Sequence, residues 1–413
     1  MKFGKAASYL LSPVAFALLA FALLMATANN YGIFTDELYF YACAQHLAFG
    51  YVDQPPFIAW VTRFSLVFGK SLFVLRFFPA LAGAGTVLLA AAIARALGGK
   101  RFAAVLASLS ILCGSAFWIM FGYVSMNAYD IFFITLGSYL FILVLQKGTM
   151  RLWILLGIAV GLGLNTKLTM LVFSFGLFAG LLLTSRRRLL LTRYPYIAAA
   201  IAMAMFIPHW GWQAANGWPT LEFIRMAGEK NLNLPVTTLI LQLAVAANLF
   251  LFPLWLTGLV ILFRRDGSLS IRPLAIAAVV FFAVYLANPS KFYYMLPAIP
   301  LLLAAGSVAL EMWTESGKTW IRTAAVIPVV LIGLATLPFG LPILPIDSFV
   351  TYARALSLGK AVQMERNDSK LIPGYFGQRI GWADFARKVA DVYHALPDSE
   401  RAGCSILGFH YGE

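Results

Sequence analysis

Acidic side chains are scarce in this chain, 17 in 413 residues, yet Asp36, Glu37 and Asp53 fall within eighteen consecutive positions. They lie in the stretch Thr35 to Trp60, TDELYFYACAQHLAFGYVDQPPFIAW, between two apolar runs and beside a turn-forming Pro55-Pro56 pair. A carboxylate next to a low-dielectric slab is costly unless it is well hydrated or does work. The work open to an ionised carboxylate there is general-base catalysis, the removal of a proton from an acceptor hydroxyl. The structural alternatives are a solvated loop acid for Asp36, a favourable charge at a helix N-terminus for Glu37, and a brace for the proline turn in Asp53.

The elements that must hold these acids are apolar. The chain is 61% hydrophobic and 12% charged, roughly half the charged share of an ordinary soluble protein. Apolar runs recur at 9–28, 72–97, 102–121, 130–146, 152–165, 168–184, 195–212, 237–263, 273–288, 292–312 and 324–345, most of them near the length, about 20 residues, that crosses a bilayer core. This predicts an all-α polytopic membrane protein with about eleven transmembrane helices, and excludes a barrel, whose strands are short and alternating. The run Leu152 to Leu183 exceeds one crossing and is interrupted at Asn165-Thr166-Lys167, so two short helices with a kink between them are expected. The first run follows Lys2 and Lys5 and is read as a retained span rather than a cleaved signal.

Charge sorts by side. With the amino terminus inside, the inner connections hold Lys100-Arg101, Lys147, Arg151, Arg186 to Arg188, Arg193, Arg264-Arg265, Arg272, Lys318 and Arg322, as the positive-inside rule requires. The net charge of +14 therefore reflects membrane topology, and no nucleic-acid partner follows from it. The outer connections hold Asp36, Glu37, Asp53, Asp130, Glu222 and Glu229, with Lys291, Lys167 and Arg63 as rare outer bases. In the first outer loop, 29–71, Leu38, Tyr41, Ala42, Gln45 and Leu47 recur at helical spacing, as do Ile58, Val61, Phe64, Ser65 and Phe68. Two amphipathic helices joined by the GYVDQPP turn are expected, with Asp36 and Asp53 facing one cavity. Residues 1–346 form the membrane domain and 347–413 an outer C-terminal domain. In that tail Trp382, Phe385, Val389, Val392, Tyr393 and Leu396 make a helical stripe ending at Pro397, and Ser405 to Tyr411 reads as a strand. A lone strand has no partner, so a small and incomplete α/β domain is expected. Cys43, Cys113 and Cys404 are odd in number and scattered, and give no disulfide framework.

TDELY, then GYVDQPP, then a long series of spans resembles the bacterial branch of the protein O-mannosyltransferase and aminoarabinose (lipid A) transferase superfamily, glycosyltransferases of GT-C type similar to family 39. The likeness covers roughly residues 1–345. It implies a polyprenyl-phosphate sugar donor, a hydroxyl or phosphate acceptor on lipid A, envelope glycan or protein, and a bacterial inner-membrane enzyme whose site faces the periplasm. It also implies Asp36 as the catalytic base with Glu37 as helper, Asp53 and Asp130 as further site acids, and His209 in PHWGW as a metal ligand together with Asp53. A divalent metal is the one cofactor implied.

Two positions depart from the family pattern. Tyr39 stands where a basic residue is expected three positions after the base, and Gln54 stands where a lysine precedes the proline pair. A departing lipid phosphate needs no general acid, only positive charge, for which Lys291, Lys167 and Arg63 are the candidates, with Tyr39 at the vacated basic position. Each has a structural reading as well: Asp130 as a helix cap, His209 as part of an aromatic interfacial belt with Trp210 and Trp212, and Lys291 as a snorkelling side chain. Two other function classes make different demands on the sequence. A secondary transporter should carry paired repeats and midplane charges, and an oligosaccharide polymerase or ligase should carry a large outer loop rich in Arg and His. Neither pattern is present.

Overall fold

The protein is described by a computed structural model over residues 2–230, 234–264, 270–356 and 372–406. Every element among those residues is helical. The chain runs through α1 (Lys2–Ala26), α2 (Thr35–Gln45), α3 (Phe57–Leu66), α4 (Leu72–Ala96), α5 (Arg101–Leu112), α6 (Ser115–Phe121), α7 (Met126–Lys147), α8 (Met150–Leu164), α9 (Thr169–Leu182) and α10 (Tyr194–Ala215). It continues with α11 (Pro219–Lys230), α12 (Val236–Ala246), α13 (Phe252–Arg264), α14 (Arg272–Leu286), α15 (Ile299–Thr314) and α16 (Trp320–Gly340), and the tail adds α17 (Ile346–Ala355), α18 (Gly374–Gly377), α19 (Trp382–Ala395) and α20 (Asp398–Arg401).

Each apolar run is helical, but they are not uniform rods. Among the described residues, four helices are long and apolar enough to cross a membrane singly, including α4, α7 and α16, and up to seven do so when bent pairs count as one. The pair α5–α6 bends by 67° and the pair α12–α13 by 105°. The break expected between 165 and 167 is present between α8 and α9.

Hydrogen bonds distinguish the two ends of the bundle. At one end the last turns of α4 and α7 meet, where the Gln146 side chain donates to Ala96 O at 2.6 Å. There Glu311, near the end of α15, accepts from the backbone of Lys100 and Ala103. Lys100 and Glu315 pair at 2.8 Å, and Arg322 donates to Thr314. At the other end lie the first turns of α4, α7 and α15, together with α2, α3 and the α8–α9 break. Lys100 and Arg322, assigned to inner connections, and Asp36, Glu37, Asp53 and Asp130, assigned to outer ones, thus fall at opposite ends.

Between the ends, small residues bring helices into contact. Gly258 of α13 lies over the Leu302 carbonyl, and Gly306 of α15 lies over the Leu254 carbonyl. A Cβ at either would collide with backbone, so the crossing depends on glycine at both places.

The first loop forms the two expected helices, but α2 buries a different face. Glu37, Phe40, Cys43 and Ala44 point inward, while Ala42, Gln45 and Leu47 are exposed. The cause is electrostatic: a buried arginine holds Glu37, and that contact sets the rotation of the helix. In the tail, α19 spans the predicted stripe and stops before Pro397, yet none of its residues is buried. The described part of the tail is helical rather than α/β. Most of the run Ser405 to Tyr411 lies outside the described residues.

Candidate active site

The site is built around the start of α2. Glu37 is 1% exposed and faces Arg76 of α4, also 1% exposed. Arg76 Nε donates to Glu37 Oε1 at 2.9 Å and Nη2 to Oε2 at 2.7 Å. The same two oxygens accept from the backbone N–H of Val124 and of Phe34, each at 2.9 Å. Burial alone would raise the Glu37 pKa, but the Arg76 charge and hydrogen bonds outweigh it and hold the carboxyl below its usual range. Four donors occupy both oxygens, so Glu37 clamps α2 to α4 and to the α6–α7 turn and has no free face for a substrate.

Asp36, its neighbour, is left partly exposed in the first turn of α2. Its charge acts on Tyr123, in the turn that Glu37 anchors. One turn further along α2, the Tyr39 hydroxyl donates to Asp53 Oδ1 at 2.6 Å. Burial raises the Asp53 pKa, and the Tyr39 hydrogen bond pulls it partly back. The chain beyond Asp53 is tied down where α3 begins: Phe57 N–H donates to Asn165 O at 3.0 Å, and its ring packs edge-on against Tyr129 of α7.

Two lysines gather next to this. Lys167, in the α8–α9 break, donates to the Asn127 side chain at 2.7 Å and lies 4.4 Å from the Tyr294 ring centroid. Lys291 lies 6.0 Å from the Tyr293 ring, and its charge and that of Asp130 both bear on Lys167. Asp130 is 1% exposed; one oxygen accepts from the Thr169 hydroxyl and the other has no hydrogen-bond partner. Acid and base groups far apart in sequence therefore line one end of the bundle, with the first turn of α7 between them.

Residues 53–212 match the family described as dolichyl-phosphate-mannose-protein mannosyltransferase. The chain superposes on ArnT from Cupriavidus metallidurans bound to undecaprenyl phosphate with a TM-score of 0.62 and 17% identity, over 93% of this chain and 80% of that one. It also superposes on the oligosaccharyltransferase AglB from Archaeoglobus fulgidus, solved with an inhibitory peptide and a dolichol-phosphate, with a TM-score of 0.53 and 16% identity, over 85% and 58% of the two chains. The fold is that of the GT-C glycosyltransferases. No curated protein matches the chain by sequence.

Within this GT-C frame the sequence-derived residues divide. Asp36, Tyr39 and Asp53 lie together on the first loop, and Asp130, Lys167 and Lys291 form the second group. Arg63 is exposed in the last turn of α3. His209 is buried in α10, with Nδ1 3.0 Å from Phe49 O. Gly50 fits against it, since a Cβ there would come within 2.8 Å of His209 Nδ1 and would strike the Trp212 ring. His209 thus holds the 49–51 turn. Among the described residues no three His, Cys, Asp or Glu side chains cluster as metal ligands. One Asp53 oxygen accepts from the Tyr39 hydroxyl, and His209 Nδ1 faces the 49–51 turn.

Three contributors escaped the sequence reading. Arg76 had a signal, a lone charge inside an apolar run. Tyr123 and Arg379 had none. Arg379 follows α18 and is 2% exposed. It reaches the site because the tail folds back: Tyr31 donates to Leu344 O at 2.6 Å, and Thr35 to Gln378 O at 3.3 Å.

Proposed function

We propose that this protein is an inverting glycosyltransferase that moves a sugar from a polyprenyl-phosphate donor to an acceptor at the periplasmic face of a bacterial inner membrane. The eleven apolar runs are its crossings. Asp36 takes the proton of an acceptor hydroxyl, and the oxygen attacks the anomeric carbon from the side opposite the phosphate. The carbon–phosphate-oxygen bond breaks, and its electron pair leaves on the lipid phosphate. Lys167 and Lys291 stabilise that departing charge, with Asn127 and Tyr294 holding Lys167 in place. Asp53 and Asp130 position donor and acceptor. Glu37 acts through Asp36, fixing the first turn of α2 against α4.

The support for this reading is a partly exposed Asp36 whose charge acts on Tyr123, just before α7, and a Lys167 bonded to Asn127 in the first turn of α7, in a chain with the fold of ArnT. A hydroxyl on lipid A, envelope glycan or protein fits the chemistry equally. The test is Asp36→Asn in full-length protein supplied with a polyprenyl-phosphate sugar. Turnover should be lost while undecaprenyl phosphate still binds. Unchanged turnover would remove Asp36 as the base.

A further inference from the structure

Arg379 is a buried charge beside the site that the proposed reaction does not use. It is 2% exposed, and Nε and Nη1 are buried without a hydrogen-bond partner. Aromatic rings flank the guanidinium, Tyr123 at 5.2 Å and Phe376 at 5.5 Å to their centroids. Rings hold a guanidinium in place but accept little from its edges. Glu37, whose charge acts on Arg379, cannot complete it, because Arg76, Phe34 and Val124 already occupy both Glu37 oxygens. Buried polar groups are nearly always satisfied, so one held unsatisfied at a site calls for an absent partner. An anion is the partner that would both accept from Nε and Nη1 and offset the guanidinium charge, which Glu37, already bonded to Arg76, does not. The structure also offers a means of delivery. Residues 375–380 sit on the α1–α2 loop, with the Tyr31 and Phe376 rings 5.1 Å apart, so the tail presents the arginine directly over the first turn of α2.

We propose that Arg379 is an anion-binding residue that takes a phosphate group on the Asp36 side of the site, separate from the Lys167–Lys291 pair. The phosphate comes from the lipid donor or from a phosphorylated acceptor. This rests on reading this end of the bundle as a phosphate-handling site, but the test needs no turnover and so stands apart from the role of Asp36.

The full chain in nanodiscs is titrated with undecaprenyl phosphate and, separately when saturated with that lipid, with inorganic phosphate, following affinity and melting temperature. Wild type is compared with R379M and with R379K, which keeps the charge. If the donor phosphate is the partner, R379M weakens undecaprenyl phosphate about ten- to a hundredfold, the usual effect of losing hydrogen bonds to a charged group, and R379K less. If an acceptor phosphate is the partner, lipid affinity is unchanged, and inorganic phosphate raises the melting temperature of lipid-loaded wild type but not of R379M. In both cases ligand-free R379M melts no lower than wild type, because an unpaired buried charge has gone. Equal responses of wild type and R379M to both probes overturn the proposal, as does an R379M that melts lower without ligand and binds both normally. Loss of transfer in D36N with phosphate binding intact leaves the proposal standing. D36N that transfers normally removes the base and leaves Arg379 to be judged by the titrations.

Discussion

Arg76 and Arg379 are both at most 2% exposed, and both act on Glu37, but their surroundings differ. Arg76 uses all three of its nitrogens: Nε and Nη2 on Glu37, Nη2 also on Gly32 O at 2.7 Å, and Nη1 on Ala28 O. Arg379 has two nitrogens with no partner, and burial, with the Arg76 charge next, pushes its pKa down to about 10. Arg76 comes from a helix inside the bundle, and Arg379 from a tail that closes over it. The first completes a fixed joint between α1, α2 and α4. The second is a cation held with its bonding unfinished, which a fold tolerates where a ligand supplies the rest.

The largest effect should come from breaking the finished joint. R76M leaves Glu37 buried and unpaired, and should cost about 3–5 kcal/mol, read as a drop in the unfolding temperature of the purified protein. Adding E37L to R76M should recover much of that loss. The pair also sets an acid limit. The folded Glu37 pKa lies below the ordinary 4.5, so its stabilisation is full above pH 4.5 and is lost as pH falls toward the folded value. E37Q should flatten that limb.

D36N changes a partly exposed group in the first turn of α2. It should leave the unfolding temperature near wild type and slow single-turnover transfer by about 10²–10⁴, the usual weight of a general base. A melting loss as large as that of R76M would make Asp36 part of the scaffold. Smaller still is G50A, which should cost about 1–3 kcal/mol by overpacking against His209 and Trp212, measured by thermal unfolding. H209A should relieve much of that strain in the double variant.

The smallest effect is a shift along the pH axis. Tyr39 lowers an Asp53 pKa that burial has raised, so Y39F should raise it further. If turnover needs Asp53 ionised, the acid limb of the pH–rate profile moves to higher pH. An unmoved limb takes Asp53 out of the reaction.

Much of the scaffold was legible beforehand. The apolar runs became helices, the interruption at Asn165 to Lys167 became the α8–α9 break, and α19 ended before Pro397. These features depend on local hydropathy, period and turn chemistry. The inward face of α2 was misread because Glu37 is not apolar, and its burial depends on a residue 39 positions away. The acids of the first loop stood out by their scarcity.

The amino-acid order alone determined a chain of apolar helices with most loop bases on one side and the Asp36, Glu37 and Asp53 cluster on the other, because the cost of charge in a lipid-like medium acts residue by residue. Tertiary structure decided which of those charges meet. Asn30 reaches Pro342 across 312 positions, and Thr35 reaches Gln378 across 343. Only such long-range closure puts Arg379 beside Tyr123 and gives Glu37 to Arg76. Partnership between buried charges is a property of packing distance, to which the spacing of residues along the chain offers no guide.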